Sequence, residues 1–357
     1  MANVHMKYDL EQMQSLPLEA KIIMSQQRIR QWYDYWDGMV YIGFSGGKDS
    51  TVLKHLVEHT PGVCDVPSLF VNTGLEYPEI QKFAMQQKNV VTIRPSMRFD
   101  KVIEKYGYPV VSKLVSKRVK DARSCISKGN TDAKCIQMLQ GTFKMSDGRT
   151  SRYNCSNWGF LLDAPFKISH QCCDVMKKRP AHSYAKKTGR KAIVGTMASD
   201  SMTRRDQWFR HGCNAFNSKD PTSAPLSFGT EQDILEYIVK NKIPYCSVYG
   251  DIIGKDEKNG TVFSADDLRM LYSVGDESLL HNVKLETTGC DRTGCTFCIF
   301  GCHMEKGKNR FQRLKETHPR QYEYCINGGE MVDGKWQPSK EGLGLGKVLD
   351  YIGVDYK

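Results

Sequence analysis

The sequence predicts an α/β protein built on a doubly wound parallel sheet, with a smaller cysteine-bearing module at the C-terminal end. Three observations carry this. Apolar runs at residues 39–44, 68–72, 90–93 and 191–195 are separated by stretches long enough for a crossover helix, and strands alternating with helices at that spacing form βαβ units. A glycine-rich turn, Ser45-Gly46-Gly47-Lys48-Asp49-Ser50, joins the first run to a helical stretch at 51–57. Beyond about residue 245 the alternation weakens, and Gly, Cys and charged residues dominate.

Taken in order, residues 18–36 read as a helix: Pro17 stands ahead of the first turn, and Leu18, Ile22, Ile29, Trp32 and Tyr33 share one side. Gly38 ends it and the first strand follows. Thr73-Gly74 closes the second strand, and Pro78 opens a helix over 79–87. A polar, cysteine-bearing middle section then leads to a helix near 179–187, the strand at 191–195 and a helix over 231–239. The expected divisions are an N-terminal helical segment at 1–37, the α/β domain at 38–244, and the C-terminal module at 245–357.

At 357 residues the chain is long enough for a large core, and 40% hydrophobic with 25% charged residues describes an ordinary soluble globular protein. No run approaches a membrane span and no charged-then-apolar leader opens the chain, so a cytoplasmic protein with no membrane partner is expected. Thirteen cysteines in that setting argue for metal or thiol chemistry rather than a disulfide framework. The formal charge of +11 favours anionic partners, either nucleotides or nucleic acid.

The 45–50 turn has the properties of an anion site. Its two glycines permit a sharp strand-to-helix turn and close backbone approach. The following N–H groups point outward at the positive end of a helix. Ser45 and Ser50 add hydroxyls, and Lys48 adds a mobile charge for phosphate oxygens. The spacing is not that of a Walker A loop, which places four residues between its first glycine and the Gly-Lys pair.

Two cysteine stretches stand out: Cys172-Cys173, followed by Lys177-Lys178-Arg179-Pro180, and the segment Cys290 to Cys302 with Cys295 and Cys298 in a C-x-x-C pair. One such pair is half a site. It is completed either by Cys172 and Cys173, or locally by Cys290 and Cys302, and both sets suit zinc or iron–sulfur. Cys64, Cys125, Cys135, Cys155, Cys213, Cys246 and Cys325 have no partner spacing. Basic runs at 113–128 and 306–315 read as solvated helix faces or as tracks for a nucleic-acid backbone.

These motifs resemble known families. The Ser-Gly-Gly-Lys-Asp-Ser turn resembles the signature loop of PP-loop ATP pyrophosphatases. Asn72-Thr73-Gly74 through Pro78-Glu79 resembles the loop that borders the adenosine in the phosphoadenylyl sulfate (PAPS) reductase branch, which implies nucleotide contacts from Thr73 and Gly74. The Cys-Cys stretch with the distant Gly-Cys-x-x-Cys resembles the [4Fe-4S] site of adenylyl-sulfate reductases, implying Cys172, Cys173, Cys295 and Cys298 as ligands, with zinc the alternative. Residues 195–205 resemble the loop whose basic groups hold the far phosphate or sulfate. Ser201 and Arg204 or Arg205 match it, whereas Met197 or Ala198 stands where an arginine belongs. The reductases' C-terminal cysteine segment has no counterpart in 342–357.

The resemblance implies an enzyme that uses ATP and Mg2+, with Ser45, Gly46, Gly47, Lys48, Asp49, Ser50 and Arg204 around the nucleotide. Lys48 would stabilise phosphate charge, and Asp49 would orient Mg2+ or the loop. ATP would be cleaved to pyrophosphate and an adenylated acceptor, for sulfur transfer. The implied partners are a nucleic-acid acceptor or a sulfur-donor protein, in a homo-oligomer or a larger complex. The alternatives are a sulfonucleotide reductase using an external thiol, and a non-catalytic nucleotide-binding component.

Overall fold

The computed structural model describes residues 4–275 and 280–357. The chain forms two compact units, and both are discontinuous in sequence. The first comprises residues 1–72, 76–94 and 181–293, and the second 73–75, 95–180 and 294–357.

The first unit is built on a sheet of six strands. Its strands are β1 (Val40–Phe44), β2 (Ser68–Val71), β3 (Val90–Ile93), β4 (Lys191–Val194), β5 (Asn214–Ala215) and β6 (Thr222–Ser223), in the order β3-β2-β1-β4-β6-β5. Every pair is parallel except β5 with β6. The helices of this unit are α1 (Lys7–Gln14), α2 (Leu18–Tyr35), α3 (Lys48–Glu58) and α4 (Pro78–Gln86) before the second unit's insertion. After it come α8 (Arg179–Thr188), which straddles the boundary, then α9 (Met202–His211), α10 (Glu231–Asn241) and α11 (Ala265–Val274). The order reverses at β1, since β2 and β4 flank it on opposite sides, and such a switch point is where open α/β sheets bind ligands. The predicted doubly wound sheet is therefore present. A second, antiparallel sheet places β7 (Ile252–Asp256) between β8 (Val262–Phe263) and β9 (Val283–Thr287).

One apolar cluster explains why this unit extends past the boundaries expected at 37/38 and 244/245. Leu18, Ile29 and Trp32 of α2, Val40 and Ile42 of β1, and Leu53 and Leu56 of α3 are buried together with Ile234 and Ile238 of α10, Ile252 of β7 and Leu285 of β9. A composition shift along the chain does not register that strands 200 residues apart bury one face together. The N-terminal helix is part of this core rather than a separate segment.

The second unit is largely helical: α5 (Phe99–Tyr106), α6 (Lys113–Ile126), α7 (Lys134–Gln140), α12 (Arg310–Thr317), α13 (Pro319–Ile326) and α14 (Leu345–Tyr351), with the hairpin β10 (Glu330–Val332) and β11 (Lys335–Gln337). Its buried residues include Val102, Val119, Leu139, Leu161, Phe166, Phe311, Leu314, Val348 and Leu349. The expected C-terminal module is thus divided: 294–357 folds with the middle section, while β7 to β9 belong to the nucleotide-loop unit. No helix among the described residues is long and apolar enough to cross a membrane.

Candidate functional site

The 45–50 turn leaves β1 at its carboxyl end and becomes the first turn of α3, with Gly47 as the residue before the helix. Gly46 has φ +73°, and a Cβ there would meet Ile80 Cγ2 at 3.0 Å and the Ile80 carbonyl at 3.2 Å, so the position tolerates only glycine without strain. A Cβ on Gly47 would meet the Tyr249 hydroxyl at 3.1 Å. The Ser45 and Ser50 hydroxyls lie 3.0 Å apart, and the Ser45 N–H donates to Ser50 Oγ at 3.1 Å, which closes the turn on itself.

Lys48 is buried and heavily engaged. Its N–H donates to the Tyr249 hydroxyl at 3.2 Å, and that hydroxyl pairs with Thr293 Oγ1 at 2.7 Å. Its ammonium donates to the Asp291 carbonyl at 2.8 Å and pairs with Glu231 at 2.9 Å. Burial pushes the Tyr249 phenol up to about 12. Asp49 lies beside Lys48, 3.8 Å from its ammonium. Burial, opposed by Lys48 and reinforced by Asp200, holds the Asp49 carboxyl above the usual carboxylate range. Its Oδ1 is buried with no hydrogen-bond partner among the described residues.

The end of β4 approaches the same helix start, since a Cβ on Gly195 would stand 3.0 Å from the Asp49 carbonyl. The following turn ends at Asp200, which accepts the Met197 N–H at 2.9 Å and pairs with both Arg204 and Arg292, the latter at 2.9 Å. Ser201 caps α9 by accepting from the Arg204 N–H at 3.3 Å. The loop, Asp49, Asp200 and Arg204 therefore lie in one region of the first unit. Arg292, Tyr249, Glu231 and Thr293 were not foreseen. Arg292 lies within the cysteine stretch, between Cys290 and Cys295, and Tyr249 and Glu231 carry no motif at all.

The other candidate residues lie in the second unit. Thr73 Oγ1 accepts the Leu75 N–H at 3.2 Å, and the Leu75 carbonyl accepts both the N–H and the hydroxyl of Thr296, at 2.7 and 3.0 Å. The turn after β2 is thereby pinned to the C-x-x-C loop. That loop is tight, with the Cys298 N–H donating to the Cys295 carbonyl at 3.0 Å. Cys172 and Cys173 precede a π-helical turn at Asp174–Lys178. A hydrogen bond between their sulfurs raises the Cys172 thiol and lowers that of Cys173, and Lys113 and Lys177 lower Cys173 further. Cys295 and Cys298 act electrostatically on Cys172, so these four sulfurs share one neighbourhood. The Arg310 guanidinium donates to the Cys298 carbonyl at 3.0 Å and is itself held by Glu305.

The local set would instead draw on Cys290 of the first unit, whose thiol donates to the Arg292 carbonyl at 3.0 Å. It would also need Cys302, which is buried with its thiol pushed up to about 12 by burial. Among the described residues no three His, Cys, Asp or Glu converge as a single metal ion would require.

The basic run on α6 is not a uniformly solvated face. Arg118 is buried and donates to the Tyr153 carbonyl. Arg123 donates to the carbonyls of Leu161, Leu162, Ala164 and Phe166. Cys325 is fully buried in α13 and its thiol is driven well up by burial. The tail is packed too: Val354 and Tyr356 are buried, and the Tyr356 carbonyl accepts from the Tyr322 hydroxyl at 2.9 Å.

The model of the phosphoadenosine phosphosulfate reductase domain family matches residues 39–124 and 148–300. Among curated proteins, the chain is 26% identical over 258 residues to sulfate adenylyltransferase subunit 2 of Pseudomonas savastanoi pv. phaseolicola, covering 69% of this chain and 73% of that one. It is 25% identical over 278 residues to sulfate adenylyltransferase subunit 2 of a Shewanella species, covering 76% and 80%. Among solved structures, phosphoadenylyl-sulfate reductase from Candida auris matches with a TM-score of 0.34 and 14% identity, covering 69% of this chain and 92% of that one.

Proposed function

The chain belongs to the phosphoadenosine phosphosulfate reductase domain family, and from that premise we propose that it binds ATP at residues 45–50 and transfers the adenylyl group to an acceptor for sulfur chemistry. The observation that carries this is the start of α3: Gly46 in a left-handed turn, the first turn of a helix and a buried Lys48, all at the carboxyl end of β1 where the strand order reverses. The adenylyltransferase names of the relatives support the same chemistry, and their designation as subunit 2 supports a role within a complex. An acceptor oxygen attacks the α-phosphorus, the bond from that phosphorus to the bridging oxygen breaks, and the electron pair leaves on pyrophosphate. Lys48 and the amides at the helix start stabilise the charge that develops, while the arginines paired to Asp200 offer further positive charge. Asp49 suits Mg2+, because its buried Oδ1 lacks a hydrogen-bond donor and a hard cation takes carboxylate oxygen.

Cys172, Cys173, Cys295 and Cys298 are the candidate ligands of a [4Fe-4S] cluster, with zinc the alternative. They share a neighbourhood with Lys113, Lys177 and Arg310 without converging on a point, and each iron of such a cluster takes its own thiolate. Bound there, a cluster would supply electron transfer or activation of sulfur. A sulfonucleotide reductase using an external thiol is the second reading; Cys325 is fully buried and does not supply that thiol.

The test is ATP–pyrophosphate exchange on anaerobically purified protein with sulfate supplied as acceptor, and competition by PAPS and adenylyl sulfate. ATP preference, with exchange reduced about 10²–10³-fold in Lys48→Ala, is expected. Preference for a sulfonucleotide, with sulfite released, overturns the proposal.

A further inference from the structure

The formal charge of the chain is not shared between its two units. The second unit carries 27 of the 51 Lys and Arg residues against 15 of the 40 Asp and Glu, leaving 24 against 25 in the first. Essentially all of the net +11 therefore belongs to the unit without the phosphate loop.

Within that unit the excess is concentrated at residues 113–155, which hold ten Lys and Arg against Asp121, Asp132 and Asp147. The structure assigns internal duties to part of this set. Arg118 and Arg123 bind backbone carbonyls, Arg149 pairs with Asp147, and Asp132 accepts from Gln137. Lys117, Lys128, Lys134, Lys144 and Arg152 are exposed, and none of them forms an ion pair among the described residues. Aromatic rings alternate with these cations. The Lys134 ammonium lies 4.4 Å from the Phe143 ring centroid, and the Arg152 guanidinium lies 5.0 Å from that of Tyr153, whose side chain is 44% exposed. These residues form one local assembly. Helix α7 leads to a loop closed by the Lys144–Thr150 bridge, the Asn154 amide donates to the Gly141 and Phe143 carbonyls, and Arg118 of α6 holds the Tyr153 carbonyl. Residues 125–147, which carry Lys128, Lys134 and Lys144, are also the stretch that the family match skips.

We propose that this assembly is a nucleic-acid binding surface, on which Lys117, Lys128, Lys134, Lys144 and Arg152 contact backbone phosphates and Tyr153 stacks a base. Unpaired cations supply the sequence-independent affinity, and an exposed ring beside an arginine is a stacking platform for any base. The surface goes beyond the adenylyl-transfer reading and stands whether or not ATP is the substrate, since all of its residues belong to the second unit and the 45–50 loop to the first.

The test is fluorescence anisotropy of the full chain with a single-stranded RNA, a single-stranded DNA and a DNA duplex of equal length, across a salt series. The expected result is binding to at least one of them. It should weaken about 100-fold at 0.1 M salt in Lys128→Glu/Lys134→Glu/Lys144→Glu/Arg152→Glu, and the log–log salt slope should fall by about one per residue reversed. Tyr153→Leu should weaken binding of single strands by about tenfold while leaving the salt slope in place. Two controls separate a built surface from bulk charge. Lys255→Glu/Lys258→Glu, an exposed pair in the first unit, should cost much less than Lys144→Glu/Arg152→Glu, and ATP–pyrophosphate exchange in the absence of nucleic acid should be unchanged in all of them. No binding to any of the three nucleic acids, equal losses from the two paired reversals, or tighter binding to phosphatidylserine vesicles than to any nucleic acid overturns the proposal.

Discussion

The two units handle charge in opposite ways. In the first, near neutrality overall, the charges around the loop are answered by neighbours: Lys48 by Glu231 and the Asp291 carbonyl, Asp200 by Arg204 and Arg292. In the second, positive charge is in surplus, and it serves three purposes. Lys113 and Lys177 favour the Cys173 thiolate, Arg118 and Arg123 tie down backbone carbonyls, and the exposed lysines of 113–155 face solvent. The difference follows from secondary structure. A parallel sheet satisfies its own backbone and aims helix N-termini at a ligand, so few side-chain charges are needed. The loops of the second unit leave carbonyls to be satisfied, and arginine, with five donors in a fixed fork, satisfies several at once.

The contrast is broken most completely at the cysteines. Cys298→Ser is expected to abolish iron and sulfide incorporation and the visible absorbance of anaerobically reconstituted protein while leaving ATP binding measurable. Retained iron, or stoichiometric zinc in its place, would move the assignment to another donor set. Arg123→Ala should be the costliest surface-proximal change to stability, about 3 kcal/mol by denaturant titration, because it strands four carbonyl groups at once. An equal cost for Lys117→Ala would mean that the buried and exposed cations of α6 are not distinct.

Asp49 tests the matched side of the comparison. Its carboxyl is raised above its unfolded value chiefly by burial, so its favourable contribution is present below the ordinary carboxylate range and is lost as pH rises through the raised folded value. Asp49→Asn should therefore raise Tm at pH 7 by about 2 °C, flatten the acid limb of the stability profile and lower the Mg2+ dependence of exchange. A lower Tm would show the charged form to be stabilised instead. The smallest effect is expected at Tyr249→Phe, which removes the acceptor for the Lys48 N–H. The nucleotide-free protein should lose about 1 kcal/mol while ATP binds about fivefold tighter, since phosphate then satisfies an otherwise orphaned donor. Weaker ATP binding would make the Tyr249 hydroxyl a phosphate contact.

Local chemistry was legible wherever the signal was local. The strands at 90–93 and 191–194, the helix from Leu18 and the turn at 45–50 lie within a residue or two of their predicted places, because apolar periodicity, Pro17, Gly38 and Pro78 act on immediate neighbours. The proposed grouping of Cys172 and Cys173, rather than Cys290 and Cys302, with Cys295 and Cys298 rests on a family resemblance; periodicity and spacing leave both sets open.

Sequence alone determined the α/β class, the loop that begins α3 and the identity of the candidate ligands, since each depends on residues within one turn or one strand. Only the tertiary structure decided which segments share a core, that β7 to β9 join the sheet-bearing unit, that Tyr249 and Glu231 reach Lys48, and that Arg118 and Arg123, two of the five cations on α6, are spent on carbonyl groups. Those outcomes rest on contacts between residues far apart in the chain, made by burial and hydrogen-bond satisfaction, and neither leaves a mark on the spacing of neighbouring residues.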